Sequence, residues 1–328
     1  MKTILIIGGA GYVGSHQVQL MCNQGYEVIV VDNLNTGFRD AVDKRAKFLL
    51  GDLRDYEFMT SVFKDNNIDG VMHFAALSLV GESVEKPLEY FDNNVGGMQV
   101  LLRTMVENGV KNLVFSSTAA TYGTHEVMPI TEEYATNPEN PYGESKLMME
   151  QMIKWCSQAY DLNYLALRYF NVCGASSDGS IGENHNPETH LIPIVLQVPL
   201  GIREFIGIYG DDYATADGTC IRDYIHVEDL CEAHVCAIEK LFSGIENGVI
   251  NLGYGHGYSV KEIIESARKV TGHPIPEKVT PRRAGDPAKL VAQNNKAKTM
   301  LGWEPKRDNI ELIIQSAYNY HLGQHNAK

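Results

Sequence analysis

The sequence predicts an α/β fold: a doubly wound parallel sheet with a smaller, interleaved C-terminal domain. Three observations point there. Short apolar runs alternate with longer amphipathic stretches through the first 170 residues, a glycine-rich turn follows the first run, and an aspartate closes the second. Strand–helix alternation of this kind builds right-handed βαβ units whose parallel sheet is covered on both faces. The chain has 328 residues, too many for one ordinary core, and fits roughly two domains of about 150 residues. Residues 1–170 are expected to form the sheet domain, with later segments returning to it, and residues 171–328 the smaller one.

Thr3–Ile7, Glu27–Val31, Lys47–Leu50, Gly70–Phe74, Asn112–Ser116 and Tyr164–Arg168 are short, β-branched and flanked by polar or glycine punctuation, which predicts strands. Between them Val13–Asn23, Tyr56–Phe63, Leu88–Glu107 and Ser145–Tyr160 have helical length and spacing. After about residue 171 the rhythm breaks. Asn171–Pro187, Gly207–Gly218 and Gly253–Tyr258 are polar and turn-rich, and helical patterns return at Val227–Leu241, Val260–Thr271 and Asn309–Tyr320.

Lys plus Arg number 28 against 41 Asp plus Glu, a formal charge of −13. Nucleic acid and anionic membrane surfaces repel such a chain unless a local basic patch intervenes, and the longest basic run is the pair Arg282–Arg283. No apolar run reaches the ~18 residues of a membrane span. Met1–Ile7 runs straight into glycines, as a strand does and a signal peptide does not. The six cysteines are scattered without a C-x-x-C pair, the pattern of reduced thiols in a cytoplasmic protein.

Gly8, Gly11 and Gly14 in "IIGGAGYVG" stand directly after the first strand and open the first helix. A dinucleotide site needs this arrangement: glycine permits the tight turn, backbone approach to a pyrophosphate and close helix packing, while the helix N-terminus offers free N–H groups. The G-x-x-G-x-x-G spacing is weak alone, since a glycine-rich turn would look the same. Asp32 at the end of the second strand strengthens it, because a carboxylate there can accept from adenosine ribose hydroxyls. No Arg or Lys follows until Arg39 to welcome a 2′-phosphate, which favours NAD over NADP. Asp52 in "GDLRD" can meet the adenine amino group, and "HFAAL" offers small residues against a flat cofactor. His73 reads as a core histidine at a strand end.

Tyr142 and Lys146, at i and i+4, share one helix face just after Pro141. An ammonium beside a phenol stabilises the phenolate and lowers a pKa otherwise near 10, which makes a usable base. The preceding strand, "FSSTAATYG", delivers Ser116, Ser117 and Thr118 to the carboxyl edge of the sheet, where such folds bind ligands.

GGAGYVG, DNLNTG, GDLRD, HFAAL, DNNVGG, FSSTAATYG, PYGESK, RYFNVCGA, IRDYIHV and RRAGDP follow one another over essentially the whole chain. Together they resemble the extended short-chain dehydrogenase/reductase superfamily and, within it, the UDP-glucose 4-epimerases. The resemblance implies a Rossmann-type sheet, a tightly held NAD regenerated each cycle, and a UDP-sugar oxidised at C4, turned over and reduced on its other face. It implies that Tyr142 is the acid/base, that Lys146 lowers its pKa and bonds the nicotinamide ribose, and that Thr118 positions the 4-oxygen. Beside the three loop glycines, the cofactor contacts it implies are Tyr12, Val13, Asp32, Asn33, Asn35, Asp52, Leu53, Phe74, Ala75, Ala76, Asn93, Lys146 and Phe170. For the UDP-sugar it implies Thr118, Tyr142, Asn171, His190, Leu191, Tyr209, Arg222, Arg283, Asp286 and Leu290, with Arg222, Arg283 and Asp286 clamping diphosphate and uridine ribose. Read without the resemblance, Arg222 would equally pair with Asp223 or Asp229 on the surface. The family's homodimers imply a dimer here, on the helical stretches Leu88–Glu107 and Ser145–Tyr160.

The sequence departs from the family at a few positions. Ser78 stands where some members carry a lysine, and His190 where many carry asparagine. His185 and His190 lie five residues apart with no third ligand apparent, so no metal is expected. Leu290 replaces a tyrosine that excludes N-acetylated sugars in some members, so UDP-N-acetylglucosamine and UDP-N-acetylgalactosamine stay open as substrates. A nucleotide-sugar 4,6-dehydratase would need an Asp–Glu pair after the threonine, and Ala119 and Ala120 cannot move protons. A decarboxylase, a keto-sugar reductase and a catalytically silent NAD-sensing regulator remain the alternatives.

Overall fold

The computed structural model describes residues 1–283 and 286–326. The first half alternates β1 (Thr3–Ile7), α1 (Tyr12–Asn23), β2 (Glu27–Asp32), β3 (Lys47–Leu50), α2 (Tyr56–Lys64), β4 (Gly70–His73), α3 (Val80–Glu85), α4 (Pro87–Tyr90), α5 (Gly97–Glu107), β5 (Asn112–Thr118), α6 (Pro141–Tyr160) and β6 (Asn163–Tyr169). The second half holds β7 (Asn171–Cys173), α7 (Leu191–Leu196), β8 (Ile206–Tyr209), β9 (Ile221–Arg222), β10 (Tyr224–His226), α8 (Val227–Phe242) and β11 (Gly248–Leu252). It ends with β12 (Tyr258–Ser259), α9 (Val260–Thr271), β13 (Glu277–Thr280), β14 (Lys289–Leu290) and α10 (Ile310–Asn326).

Seven strands form one sheet in the order β11-β6-β5-β4-β1-β2-β3, and every pairing in it is parallel. Its strands are apolar on both faces because both faces are covered. Ile4, Ile6, Val28, Val30 and Val114 join a core with α1, α8, α9 and α10. Their neighbours Leu5, Ile7, Ile29, Val31 and Leu113 join a second core with α2, α5 and α6. The period-2 alternation of a strand thus divides one apolar run between two cores. The strand order reverses at β1, which opens a crevice at the carboxyl ends of β1 and β4, the usual ligand site of such sheets.

The structure departs from the sequence expectations at several elements. β5 runs on to Thr118, pairing Ser117 with Arg168 and Thr118 with Tyr169, so all three hydroxyl residues are strand residues. The expected helix over 88–107 is broken by a π-helical turn at Phe91–Gly96. There the Asn94 amide accepts from the Leu77 N–H at 2.9 Å and donates to the Ser145 hydroxyl at 2.9 Å, tying the turn to the loop after β4. Turns of this kind cluster at functional sites. Helix α6 begins at Pro141, not Ser145, because Asn140 caps it by accepting from the Gly143 N–H and Pro141 occupies the first turn. Strand β11 and the short strands β8, β10 and β13 lie in stretches not expected to be extended; β11 joins the main sheet beside β6.

Candidate active site

At the carboxyl edge of the sheet a cavity of about 550 Å³ runs from the β1–α1 turn to the β9–β14 pair. Gly8 has φ +82°, and a Cβ there would stand 2.5 Å from Ala75 N; one on Gly14 would stand 2.1 Å from Gly8 O. These two glycines are fixed by close backbone packing. Gly11 is different: a Cβ there would meet only Gly8 O at 3.5 Å, so the protein itself does not require glycine at this position. No side chain caps α1, and its first-turn residues Tyr12, Val13 and Gly14 line the cavity. The turn leaves backbone N–H groups and a cradle at Gly11 for a phosphate-bearing group, which is how NAD fits this site.

Asp32, Asn33, Asn35, Asp52 and Leu53 line the same end, as do Phe74, Ala75, Ala76, Asn93 and Phe170. The Asp32 carboxylate accepts from the N–H of Ala10 at 2.9 Å and of Leu34 at 2.8 Å, which fixes it at the rim. Asp52 is held by Arg54 and accepts from the Asn33 amide at 3.1 Å; these bonds keep its carboxyl well below the usual range. Ser78 also lines the wall. His73 is buried beneath it with both ring nitrogens unpartnered; burial, then the Lys146 charge, push its pKa down to about 3. It is a neutral core residue.

Thr118, Tyr142 and Lys146 meet in the middle of the cavity. Burial raises the Tyr142 phenol above its ordinary pKa, opposed by its hydrogen bond with the Thr118 hydroxyl. Burial pushes the Lys146 ammonium down to about 7, with Glu150 opposing. The lysine donates to the Ser116 carbonyl at 2.8 Å and sits 4.9 Å over the Phe115 ring. In the protein alone desolvation sets the direction of the Tyr142 phenol, and the Thr118 hydroxyl is what opposes it. One turn further along α6, Glu150 accepts from Arg168 Nε of β6 at 2.9 Å and from the Ser117 hydroxyl, and this buried pair locks α6 to the strands beneath it.

At the far end Asn171, Arg222, Asp286 and Leu290 line the wall, with His190. Arg222 is buried and pairs with Asp286, neither with Asp223 nor with Asp229. Asp223 instead accepts from the N–H groups of Tyr254, Gly255 and Ala292, and Asp229 from the Tyr254 hydroxyl and Arg307. In the protein alone Leu191, Tyr209 and Arg283 of the expected set stand outside the cavity wall. Leu191 opens α7 and packs on the core. Tyr209 is at the end of β8, 44% exposed, and the Arg283 guanidinium stacks over its ring at 4.0 Å, a cation–π pair at the surface.

Sequence reasoning missed Tyr169 and Glu183, which also line the cavity, and gave His185 no role there. It also saw only two members of a cluster of four, since Glu183 and Glu188 stand beside His185 and His190. The signal was present as a doublet, E-x-H at 183–185 and again at 188–190. Burial disfavours charge on both imidazoles, but the two carboxylates outweigh it and raise His185 to about 9 and His190 to about 10.

The family model described as "NAD dependent epimerase/dehydratase family" matches residues 4–253. A UDP-glucose 4-epimerase of Lacticaseibacillus casei is 54% identical over 319 residues, 97% of this chain and 96% of that protein. A crystal structure of UDP-glucose 4-epimerase, 57% identical, superposes with a TM-score of 0.97 and covers 99% of both chains. The enzyme of Bifidobacterium longum in complex with NAD+ and UDP, 42% identical, superposes at 0.93 over 100% of both. With the glycine turn, the carboxylate rim and the Tyr–Lys–Thr centre all on one cavity, the chain belongs to the NAD-dependent epimerase/dehydratase family and, within it, groups with the UDP-glucose 4-epimerases.

Proposed function

We propose that this protein interconverts UDP-galactose and UDP-glucose by oxidation at sugar C4, turnover of the 4-keto sugar in the pocket, and reduction on its other face. One observation carries the reading: a single cavity joins the phosphate-ready turn of α1, the Thr118–Tyr142–Lys146 centre and the Arg222–Asp286 pair. NAD, when bound, supplies a two-electron acceptor and donor for sugar C4 and, in its oxidised form, a positive charge to the cavity. Tyr142 takes the 4-hydroxyl proton and returns it, and Thr118 shares that oxygen. Lys146, whose ammonium burial pushes down to about 7 in the protein alone, bonds the nicotinamide ribose. Arg222, released from Asp286, meets the diphosphate, with Asn171 beside it, while Asp286 turns to the uridine ribose.

Residues 1–170, with α8 and β11 returning to their sheet, form the cofactor half in this reading, and the rest of 171–328 the UDP-sugar half. Leu290 on the wall supports acceptance of N-acetylated UDP-sugars as well. The absence of detectable turnover of UDP-N-acetylgalactosamine, under conditions that fully convert UDP-galactose, would remove that extension. Among the described residues no helix is long and apolar enough to cross a membrane. The six cysteines are all unpaired, which supports a reducing compartment such as the cytoplasm.

Proton NMR of the purified protein with UDP-galactose and no added cofactor tests the main reading. UDP-glucose should appear and settle at the same ratio from either starting sugar. No conversion, even with NAD supplied, would overturn it.

A further inference from the structure

The segment between β7 and α7 has almost no regular structure; its only sheet pairing is an isolated bridge between Ala175 and Gly182. It nevertheless gathers Glu183, His185, Glu188 and His190, whose ligand atoms all lie within 4.8 Å of one another. His190 Nδ1 stands 2.6 Å and His185 Nδ1 3.2 Å from Glu183 Oε1. Towards Glu188 the same nitrogens stand 3.4 and 3.8 Å from its two oxygens. A tetrahedral zinc with ligands at about 2.0–2.1 Å has ligand–ligand edges of about 3.3 Å, the middle of that spread.

The orientation of these groups is as telling as their spacing. Glu183 is 97% buried, yet its Oε1 makes no aligned hydrogen bond, and neither does His185 Nδ1. These unpartnered atoms, gathered with those of Glu188 and His190, are free to serve one ion between them. Glu188 is fixed separately, its Oε1 accepting from the N–H groups of Thr189 and His190 at 2.7 and 2.9 Å. Without an ion, neutrality requires two imidazolium rings with centroids 5.2 Å apart; a divalent cation neutralises both carboxylates and leaves both rings neutral.

We propose that Glu183, His185, Glu188 and His190 form a four-ligand site for a divalent transition metal of the zinc class, with a structural role. Two imidazoles favour such a metal over magnesium or calcium, which prefer all-oxygen shells. Four protein ligands complete the tetrahedron, so no position is left for substrate or activated water. The metal pins this segment beside the cofactor turn. His185 packs edge-on against the Tyr12 ring at 6.2 Å, and the Tyr12 hydroxyl donates to Gly174 O at 2.7 Å, at the start of the same segment.

The test uses full-length, tag-free protein dialysed against a chelator, with its NAD retained. Calorimetric titration with Zn2+ should show one ion per chain, and substitution with Co2+ should give the intense visible bands of a tetrahedral ion. Zinc should also raise the thermal midpoint. His185→Gln and Glu183→Gln should each weaken zinc binding by at least about a hundredfold, more than the 10–100-fold that loss of an outer partner costs. If a variant misfolds, by circular dichroism, the Co2+ spectrum of the unsubstituted protein decides alone. No stoichiometric zinc, a weak octahedral Co2+ spectrum, or equal affinity in a folded variant would overturn the site.

Discussion

In the proposed mechanism Tyr142 carries the proton, so Tyr142→Phe should lower turnover at least about a hundredfold, the usual scale for losing general acid–base help. NMR conversion of UDP-galactose measures it, and unchanged turnover would revive the NAD-sensing alternative. Arg168 shows the structural side of the same centre. Arg168→Met leaves the buried Glu150 without its guanidinium partner, which costs about 3–5 kcal/mol by urea unfolding. Two buried histidines set an acid limit. Burial holds His73 at about 3 and His234 at about 4, both below the ~6.5 of an unfolded chain. The unfolded state therefore binds protons that the folded state refuses. The contribution of these two groups is full above about pH 6.5 and falls as pH drops, by about 1.4 kcal/mol per pH unit for each histidine. His73→Phe should flatten that slope by one proton's worth between about pH 7 and pH 5; an unaltered slope would show that His73 is not responsible.

At the scale of elements, the β1–α1 turn separates two reasons for glycine. Gly14→Ala forces a Cβ to 2.1 Å from Gly8 O and should cost both thermal stability and bound NAD. Gly11→Ala meets nothing of the protein closer than 3.5 Å, so its melting temperature should stay near the parent's while NAD is lost. Acid-released cofactor and a thermal melt distinguish the two, and a Gly11→Ala protein that keeps its NAD would contradict the cradle. At α6 the Asn140 cap orients the helix that bears Tyr142, and Asn140→Ala should cost about 0.5–2 kcal/mol of stability.

At the scale of the whole molecule, α3, α4 and α6 pack together and leave Val84, Leu88, Trp155 and Tyr160 more than half exposed. We infer that these exposed apolar side chains belong to the dimer surface that the family resemblance implies. Light scattering should give twice the chain mass of 36.4 kDa, and the paired change Leu88→Glu with Trp155→Glu should halve it. A parent that scatters as a single chain would refute the surface.

Local rules were enough for much of this molecule. Period-2 and helical patterns, with glycine and proline punctuation, located β1 to β6 and most of the first-half helices. The glycine turn, Asp32 and the Tyr142–Lys146 pair are contiguous motifs, so the cofactor end of the cavity and its centre were legible. Long-range contacts decided the rest. The π-helical turn at Phe91–Gly96 depends on Asn94 bonding the Leu77 loop, and β11 is a strand because β6 offers it an edge. The pairing of Arg222 with Asp286 spans 64 residues, and Arg283 turns outward because Tyr209 gives it a ring to stack on. The convergence of Glu183 and Glu188 on His185 and His190 was equally hidden, because a linear spacing says nothing of direction in a segment without helix or strand. The sequence determined which chemistry the chain carries. Only the tertiary structure decided how burial divides charge within it, because desolvation is a property of what surrounds a group and not of the group itself.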